Sequence, residues 1–142
     1  MSPSGYTEDA LVEQPAIALL AELGWSPYNA YHEFDHGPSS LGRETRAEVV
    51  LKTRLREALL PLNPDAPVEA IHGAIEELTR DRSRMSMVAA NREIYALLKN
   101  GVRIPAPDPE GDGQTVEVVR VIDWDTPANN DFLLCSQLWV TG

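Results

Sequence analysis

Apolar residues recur at helical spacing along the first hundred residues of the chain, and this pattern predicts four helices. The first begins at Thr7, whose hydroxyl can cap it, and Gly24 ends it. Pro15 lies inside this stretch and predicts a kink or a late start of the regular helix. Three further helices are predicted over residues 46–60, 65–78 and 86–99. We expect Asp65 to cap the third of the four helices and Val68 to face inward from it.

The remaining residues predict strands and one long loop. Residues 102–104 and 115–122 are rich in β-branched side chains, and the Pro- and Gly-containing stretch between them predicts a hairpin with a long loop. Residues 132–140 are apolar on both alternating faces, which is typical of a strand in the centre of a covered sheet. Residues 26–43 contain prolines and glycines without a sustained period, so we expect a long loop with at most one short helical turn.

Together these elements indicate the α+β class, mainly helical over residues 6–101 and mainly β over residues 102–142. The last strand is predicted to end two residues before Gly142, although a central strand needs neighbours on both sides. We therefore expect either a chain that stops inside a larger domain or a strand that a partner completes.

The charge of the chain excludes one class of function. Twelve Lys and Arg against 22 Asp and Glu give a net charge of −10, which is unfavourable for coating duplex DNA. The acidity lies at the two ends, because residues 1–42 carry −6, residues 43–103 carry +2 and residues 104–142 carry −6. A lone cysteine, Cys135, and the absence of a basic signal sequence or a long apolar run predict a cytoplasmic protein without membrane contact.

A zinc-binding pattern occurs at residues 32–36. His32, Glu33 and His36 fit H-E-x-x-H, in which two histidines one helical turn apart bind zinc and the glutamate activates water. That chemistry needs a stable helix, and Pro27 before the motif together with Gly37 after it leaves less than three helical turns. We therefore interpret the histidines as solvent-facing loop residues, predict no metal site, and keep a zinc hydrolase as the least favoured function.

The middle of the chain is rich in arginine, and two interpretations stay open. The side chains could contact DNA phosphates or a neighbouring subunit. Interspersed glutamates and aspartates would instead make these arginines parts of ordinary ion-paired helix surfaces. The candidate contact residues are Arg43, Arg46, Arg80, Arg82 and Arg84.

Several catalytic signatures are absent from the sequence. There is no Gly-Lys dipeptide, so the chain has no phosphate-binding P-loop. Its two lysines, Lys52 and Lys99, have no acid two positions before them, so an acid-x-Lys metal-nuclease centre cannot form within these residues.

Blocks of residues along nearly the whole chain, from about residue 6 to residue 142, resemble the N-terminal segment of the restriction (R) subunit of type I restriction-modification enzymes. The opening blocks are Thr7-Glu8, Leu11-Val12-Glu13, Leu23-Gly24-Trp25 and Leu41-Gly42-Arg43-Glu44-Thr45-Arg46. The later blocks are Leu78-Thr79-Arg80-Asp81-Arg82-Ser83, Met85-Ser86, Ala90-Asn91-Arg92-Glu93-Ile94-Tyr95, Val121-Ile122-Asp123-Trp124 and Asn129-Asn130-Asp131-Phe132-Leu133. Several independent blocks in the same order are more specific than any single short motif.

The resemblance implies an ATP-dependent enzyme that translocates DNA and cuts it when it is unmodified, assembled with modification and specificity subunits. The R subunit begins with a PD-(D/E)xK, restriction-endonuclease-like domain, in which acids hold Mg²⁺ and a lysine assists the attacking water. The family's catalytic aspartate and acid-x-Lys strands are expected after Gly142. Domains of this type often carry an acid on their first helix facing the metal site, and Glu13 is the matching residue.

We therefore expect residues 1–142 to be the N-terminal part of the R-subunit nuclease domain, without ATP or metal bound by these residues alone. The isolated chain is expected to be non-catalytic, whereas the full-length subunit is expected to use Mg²⁺ and ATP. The alternative is a stand-alone interaction module derived from this family, which binds a partner without chemistry.

Overall fold

The computed structural model describes residues 9–141, which divide into two compact units. The first unit comprises the described residues up to Val49 together with residues 131–141, and the second comprises Val50–Asn130. Both helices and strands are present, which confirms the α+β class. None of the helices in residues 9–141 has the length and apolar character needed to span a membrane.

The first unit begins with a π-helical turn at Asp9–Glu13 that continues into helix α1, Gln14–Glu22. Pro15 lies in the first turn of α1, directly after the π-helical turn at Asp9–Glu13, and regular α-helix begins only there. The late start predicted from this proline is therefore confirmed. Gly24 adopts a φ of +100° just after the helix, as the sequence predicted for its end. Thr7, the predicted cap, lies outside the described residues.

Two short strands complete the first unit. Strand β1, Ser26–Asn29, pairs in parallel with strand β4, Leu133–Ser136, with Ser26 opposite Leu133. The predicted loop at 26–43 is therefore wrong at its start, because β1 is defined by a partner more than a hundred residues away, which local pattern does not reveal. The predicted strand at 132–140 is too long, since only four residues pair, and all four are half-buried.

The second unit holds three helices and a hairpin. The helices are α2 (Lys52–Leu62), α3 (Val68–Thr79) and α4 (Met87–Asn100), and the antiparallel hairpin strands are β2 (Val102–Pro107) and β3 (Gln114–Val119). The predicted hairpin is confirmed, with a loop over residues 108–113. Ser86 caps α4 by accepting a hydrogen bond from the Ala89 N–H at 3.1 Å, and Gly101 follows the helix with a φ of +83°.

The predicted boundaries of α2 and α3 need correction. The helix expected from residue 46 begins at Lys52, because Thr45 and Glu48 use their side chains to accept hydrogen bonds from nearby backbone N–H groups. Helix α2 continues through Pro61 to Leu62 instead of ending at residue 60, where the sequence predicted its end. At α3, Pro67 and not Asp65 occupies the cap position, and Val68 is exposed rather than inward-facing.

The core of the second unit lies between its helices and the hairpin. It is formed by the buried side chains of Leu59, Ala70, Ile71, Ala74, Val102 and Val119. Asn63 joins α2 to the hairpin, because its side-chain amide donates to the backbone oxygens of Leu59 and Arg120 and its oxygen accepts from the Arg120 N–H at 2.7 Å. This buried amide satisfies backbone groups just beyond β3, where the ladder ends.

Candidate functional site

Glu13 lies at the carboxyl end of strand β4. It is the last residue of the π-helical turn before α1. Both of its carboxylate oxygens accept hydrogen bonds from the side-chain amide of Gln137, at 3.0 and 2.9 Å. Gln137 directly follows β4 and has a φ of +55°, a left-handed conformation that is uncommon for residues other than glycine. The backbone thus turns sharply at the point where it meets the helix acid.

A groove of about 340 Å³ runs beside this carboxylate. Apolar residues of α1 and β4, including Ile17, Leu20 and Leu134, form its walls, and the polar lining includes Glu13, Ser136 and Gln137. Within the described residues Glu13 forms no ion pair, so its negative charge is met only by a neutral amide. The arrangement is able to attract a cation at the end of β4.

A buried ion pair organises the segment that follows β1. Glu33 and Arg43 are only 5 % and 3 % exposed. The Arg43 Nε donates to one carboxylate oxygen of Glu33 at 2.8 Å and Nη2 donates to the other, which makes the pair bidentate. The Ser39 hydroxyl also donates to the carboxylate, at 2.5 Å. The hydrogen bond from Arg43, opposed by burial, holds the pKa of Glu33 below its usual value.

Arg43 also holds two stretches of backbone together through three carbonyl groups. Its guanidinium donates to the carbonyl oxygens of Glu48 and Trp139 at 2.9 Å each, and to that of Arg46 at 3.4 Å. Trp139 belongs to the segment after β4, so one side chain ties the turns at residues 43–48 to the end of the chain. The rigid guanidinium fork suits this task, because it offers five donors in a fixed plane.

The H-E-x-x-H residues do not form a helix. Residues 32–36 lie in turns, and His32 and His36 are exposed. The His32 Nδ1 is 2.5 Å from a carboxylate oxygen of Asp35, and Glu33 is occupied by Arg43. No group of three or more His, Cys, Asp or Glu side chains in residues 9–141 is placed to hold a metal ion. The helical geometry that the zinc-hydrolase hypothesis needs is therefore not present here.

The candidate arginines are divided between buried pairs and the surface. Arg82 is nearly buried and bonds Glu77 at 3.1 Å and Glu93 at 3.3 Å, and Arg80 also reaches Glu93, at 2.7 Å. Arg43 is the buried partner of Glu33. Arg46 and Arg84 are exposed. Contact with DNA or a subunit stays a prediction for these residues, and only Arg46 and Arg84 could meet a phosphate without first breaking an ion pair.

Asp123, Asn129 and Asn130 form a hydrogen-bonded turn that the sequence analysis did not predict. The Asp123 carboxylate accepts from the backbone N–H groups of Asp125 and Thr126 and from the Asn129 amide at 3.0 Å. Asn130 closes the turn by accepting from the Asp123 N–H and donating to its carbonyl. These bonds, led by that from Thr126, lower the pKa of Asp123. The spacing Asp-x₅-Asn-Asn was the available signal.

Comparison with known proteins identifies the family of the chain. Residues 5–142 match the family described as "Type I restriction enzyme R protein N terminus". The chain belongs to this family.

A curated relative supports the same family membership. The chain is 30 % identical over 127 residues to the type I restriction enzyme HindI endonuclease subunit of Haemophilus influenzae. The match covers 89 % of this chain but 12 % of that protein, so the chain spans about an eighth of the length of this R-protein relative. No solved structure shows a significant match to the chain.

Proposed function

We propose that this chain forms the N-terminal part of a restriction-endonuclease-like domain in an R subunit that cuts unmodified DNA. The match of the R-protein N-terminal family to residues 5–142 carries the proposal. The position of Glu13 at the end of β4 supports it, because the resemblance stated above implies an acid on the first helix of such a domain.

The full-length protein is proposed to require Mg²⁺ and ATP, to translocate DNA, and to assemble with modification and specificity subunits in the cytoplasm. The described residues do not fit Mg²⁺ on their own, because Glu13 is a single carboxylate without a neighbouring acid cluster, and Mg²⁺ prefers several oxygen ligands. The chain also lacks a P-loop sequence. No catalytic step is therefore assigned to residues 9–141, and the isolated chain is proposed to be inactive.

Glu13 is proposed to face the nuclease centre that later residues of the subunit complete. Both of its carboxylate oxygens accept hydrogen bonds from the Gln137 amide, which orients the carboxylate at the end of β4. A fixed negative group at the end of a strand can position a cation or a water molecule for residues that arrive on neighbouring strands.

The test uses the full-length subunit assembled with its modification and specificity subunits. Replacing Glu13 with Gln preserves the size of the side chain and removes its charge, and we expect cleavage of unmodified DNA to fall by about 10- to 100-fold. Glu22→Gln is the matched control, since Glu22 is the last residue of α1, is exposed and does not line the groove beside Glu13. Equal cleavage by both variants would contradict the role of Glu13.

A second experiment tests the proposed inactivity of these residues alone. The purified 142-residue chain, incubated with unmodified plasmid and Mg²⁺, should leave the DNA intact at enzyme excess. The stand-alone interaction module makes the same prediction, but it also requires a native polypeptide of about this size, which an immunoblot of the source cells measures. A native polypeptide of the size of the R-protein relative would favour the nuclease domain.

A further inference from the structure

A second concavity lies in the first unit, away from Glu13. It has a volume of about 280 Å³ and is lined by Tyr31, Asp35, Arg46 and Trp139. Glu13 and Gln137 do not contribute to it. We propose that this concavity binds one unstacked base of single-stranded DNA together with its phosphate. The choice of DNA as the polymer rests on the proposed function, whereas the site itself rests on the four side chains.

Two exposed aromatic side chains form walls of the site. Tyr31 is 58 % exposed and Trp139 is 60 % exposed, although both line the same concavity. Large aromatic side chains are normally buried, and exposed ones in a shared hollow are what single-strand binding proteins use to stack bases. The hollow has room for one flat ring system, and it is too small for a base-paired duplex.

Arg46 supplies the positive charge for a phosphate. Within the described residues its guanidinium forms no ion pair, and it lies 5.0 Å from the centre of the Phe34 ring, which holds the side chain by a cation–π contact. Its carbonyl accepts from the Thr141 N–H at 3.0 Å and from Arg43. The cation is thus fixed beside the aromatic walls.

The carboxylate of Asp35 should determine which base the site prefers, because it accepts hydrogen bonds. One of its carboxylate oxygens receives the His32 Nδ1 contact, and among residues 9–141 no donor reaches the other oxygen, which can accept a hydrogen bond. Carboxylates accept from the exocyclic amine of cytosine, whereas thymine carries a carbonyl oxygen, O4, at the corresponding position. We therefore expect the site to prefer oligo(dC) over oligo(dT).

The buried Glu33–Arg43 pair positions the site without touching the base. Arg43 binds the carbonyls of Arg46 and Trp139, which fixes two walls, and Glu33 lies between Tyr31 and Asp35 in the sequence. Because the walls are held by buried hydrogen bonds, little ordering should be required when a base enters.

The test measures the anisotropy of fluorescently labelled dC10 and dT10 with the 142-residue chain. We expect weak binding that favours dC10, with the logarithm of affinity falling against the logarithm of salt with a slope of about −0.7, the value for one phosphate contact. Trp139→Ala should weaken binding of dC10 by about 5- to 150-fold, whereas Trp139→Phe should retain most of it. Arg46→Met should abolish the salt dependence.

Trp124→Ala is the matched control, since Trp124 is equally exposed but belongs to the second unit. Equal binding of dC10 by the native chain and Trp139→Ala would overturn the proposal, and so would absence of binding at millimolar oligonucleotide. Stronger binding of duplex than of dC10 would overturn it as well. Cleavage by the reconstituted Glu13→Gln enzyme and binding of dC10 by the 142-residue chain are separate measurements at different residues, so failure of the nuclease role and failure of this site can be told apart.

Discussion

Removal of the Arg43 guanidinium should destabilise the first unit severely. Arg43→Met keeps most of the side-chain length and leaves the Glu33 carboxylate buried at 5 % exposure without its cation. Breaking a buried ion pair by removing one partner typically costs about 3–5 kcal/mol, because the remaining charge stays in a poorly solvated place. Three backbone carbonyls also lose the donor that they share.

Neutralising Glu33 shows how much of the stability lost in Arg43→Met comes from the buried, unpaired charge. In the double variant Glu33→Gln, Arg43→Met no buried charge remains, so it should be more stable than Arg43→Met alone by about 1–3 kcal/mol. Arg43→Lys keeps the charge but loses the fork that reaches several acceptors, and it should fall between the native chain and Arg43→Met. If Arg43→Met is unfolded at 25 °C, the double variant and Arg43→Lys can still be compared with the native chain.

The assay is urea unfolding followed by tryptophan fluorescence. A Trp124→Phe background leaves Trp25 and Trp139, both in the first unit, as the reporters. Arg46→Met is the control because Arg46 is exposed, and it should cost at most about 1 kcal/mol from its contact with Phe34. A loss below 1 kcal/mol for Arg43→Met, or a double variant no more stable than it, would refute the reasoning.

The pH dependence of the unfolding free energy is an independent test, because it should have opposite directions in the native chain and in Arg43→Met. In the native chain the pKa of Glu33 is lowered from 4.5, so the stability from this pair is complete above pH 4.5 and is lost as the pH falls through the lowered pKa. In Arg43→Met the unpaired buried carboxylate should instead have a pKa above its unfolded value. Its unfolding free energy should therefore rise as the pH falls towards about 5, opposite to the native chain.

The second unit yields three further stability predictions, each measured by urea unfolding with Trp124 as the reporter. Asn63→Ala removes the buried amide that serves the Arg120 backbone and should cost about 1–3 kcal/mol. Gly101→Ala should cost more than about 1 kcal/mol, because φ is +83° and the new Cβ would lie 2.9 Å from the Val119 oxygen. Ser86→Ala removes the cap of α4 and should cost about 1 kcal/mol, while Ser86→Asp should restore it.

Local signals in the sequence predicted local structure well. Helix α4, Met87–Asn100, matches the predicted bounds 86–99 within one residue, and the β-branched residues at 115–119 pair in the predicted hairpin. Strand β1 was missed because Ser26–Asn29 contains a proline and gains its pairing from β4, far along the chain. The start of α2 was missed because side chains near residue 46 satisfy the backbone in turns.

The contacts at the candidate sites join residues that are far apart in the sequence, so residue spacing could not predict them. Glu13 was identified from the family resemblance, but its partner Gln137 lies 124 residues away and no periodicity joins them. Glu33 was noticed only as part of an H-E-x-x-H pattern, whereas its role in the structure is to pair with Arg43. Helices were predicted better than these contacts for a physical reason. The face of a helix depends on residues three or four positions apart in the sequence, whereas the partners of an ion pair meet only in the tertiary fold.

The central claim is tested most directly by measuring cleavage and ATP hydrolysis together in the reconstituted enzyme that carries Glu13→Gln. If these residues belong to the nuclease domain of an R subunit, cleavage of unmodified DNA should fall by about 10- to 100-fold while DNA-stimulated ATP hydrolysis stays at the level of the Glu22→Gln enzyme. Cleavage at the level of that control, or a parallel loss of ATP hydrolysis, would contradict the assignment.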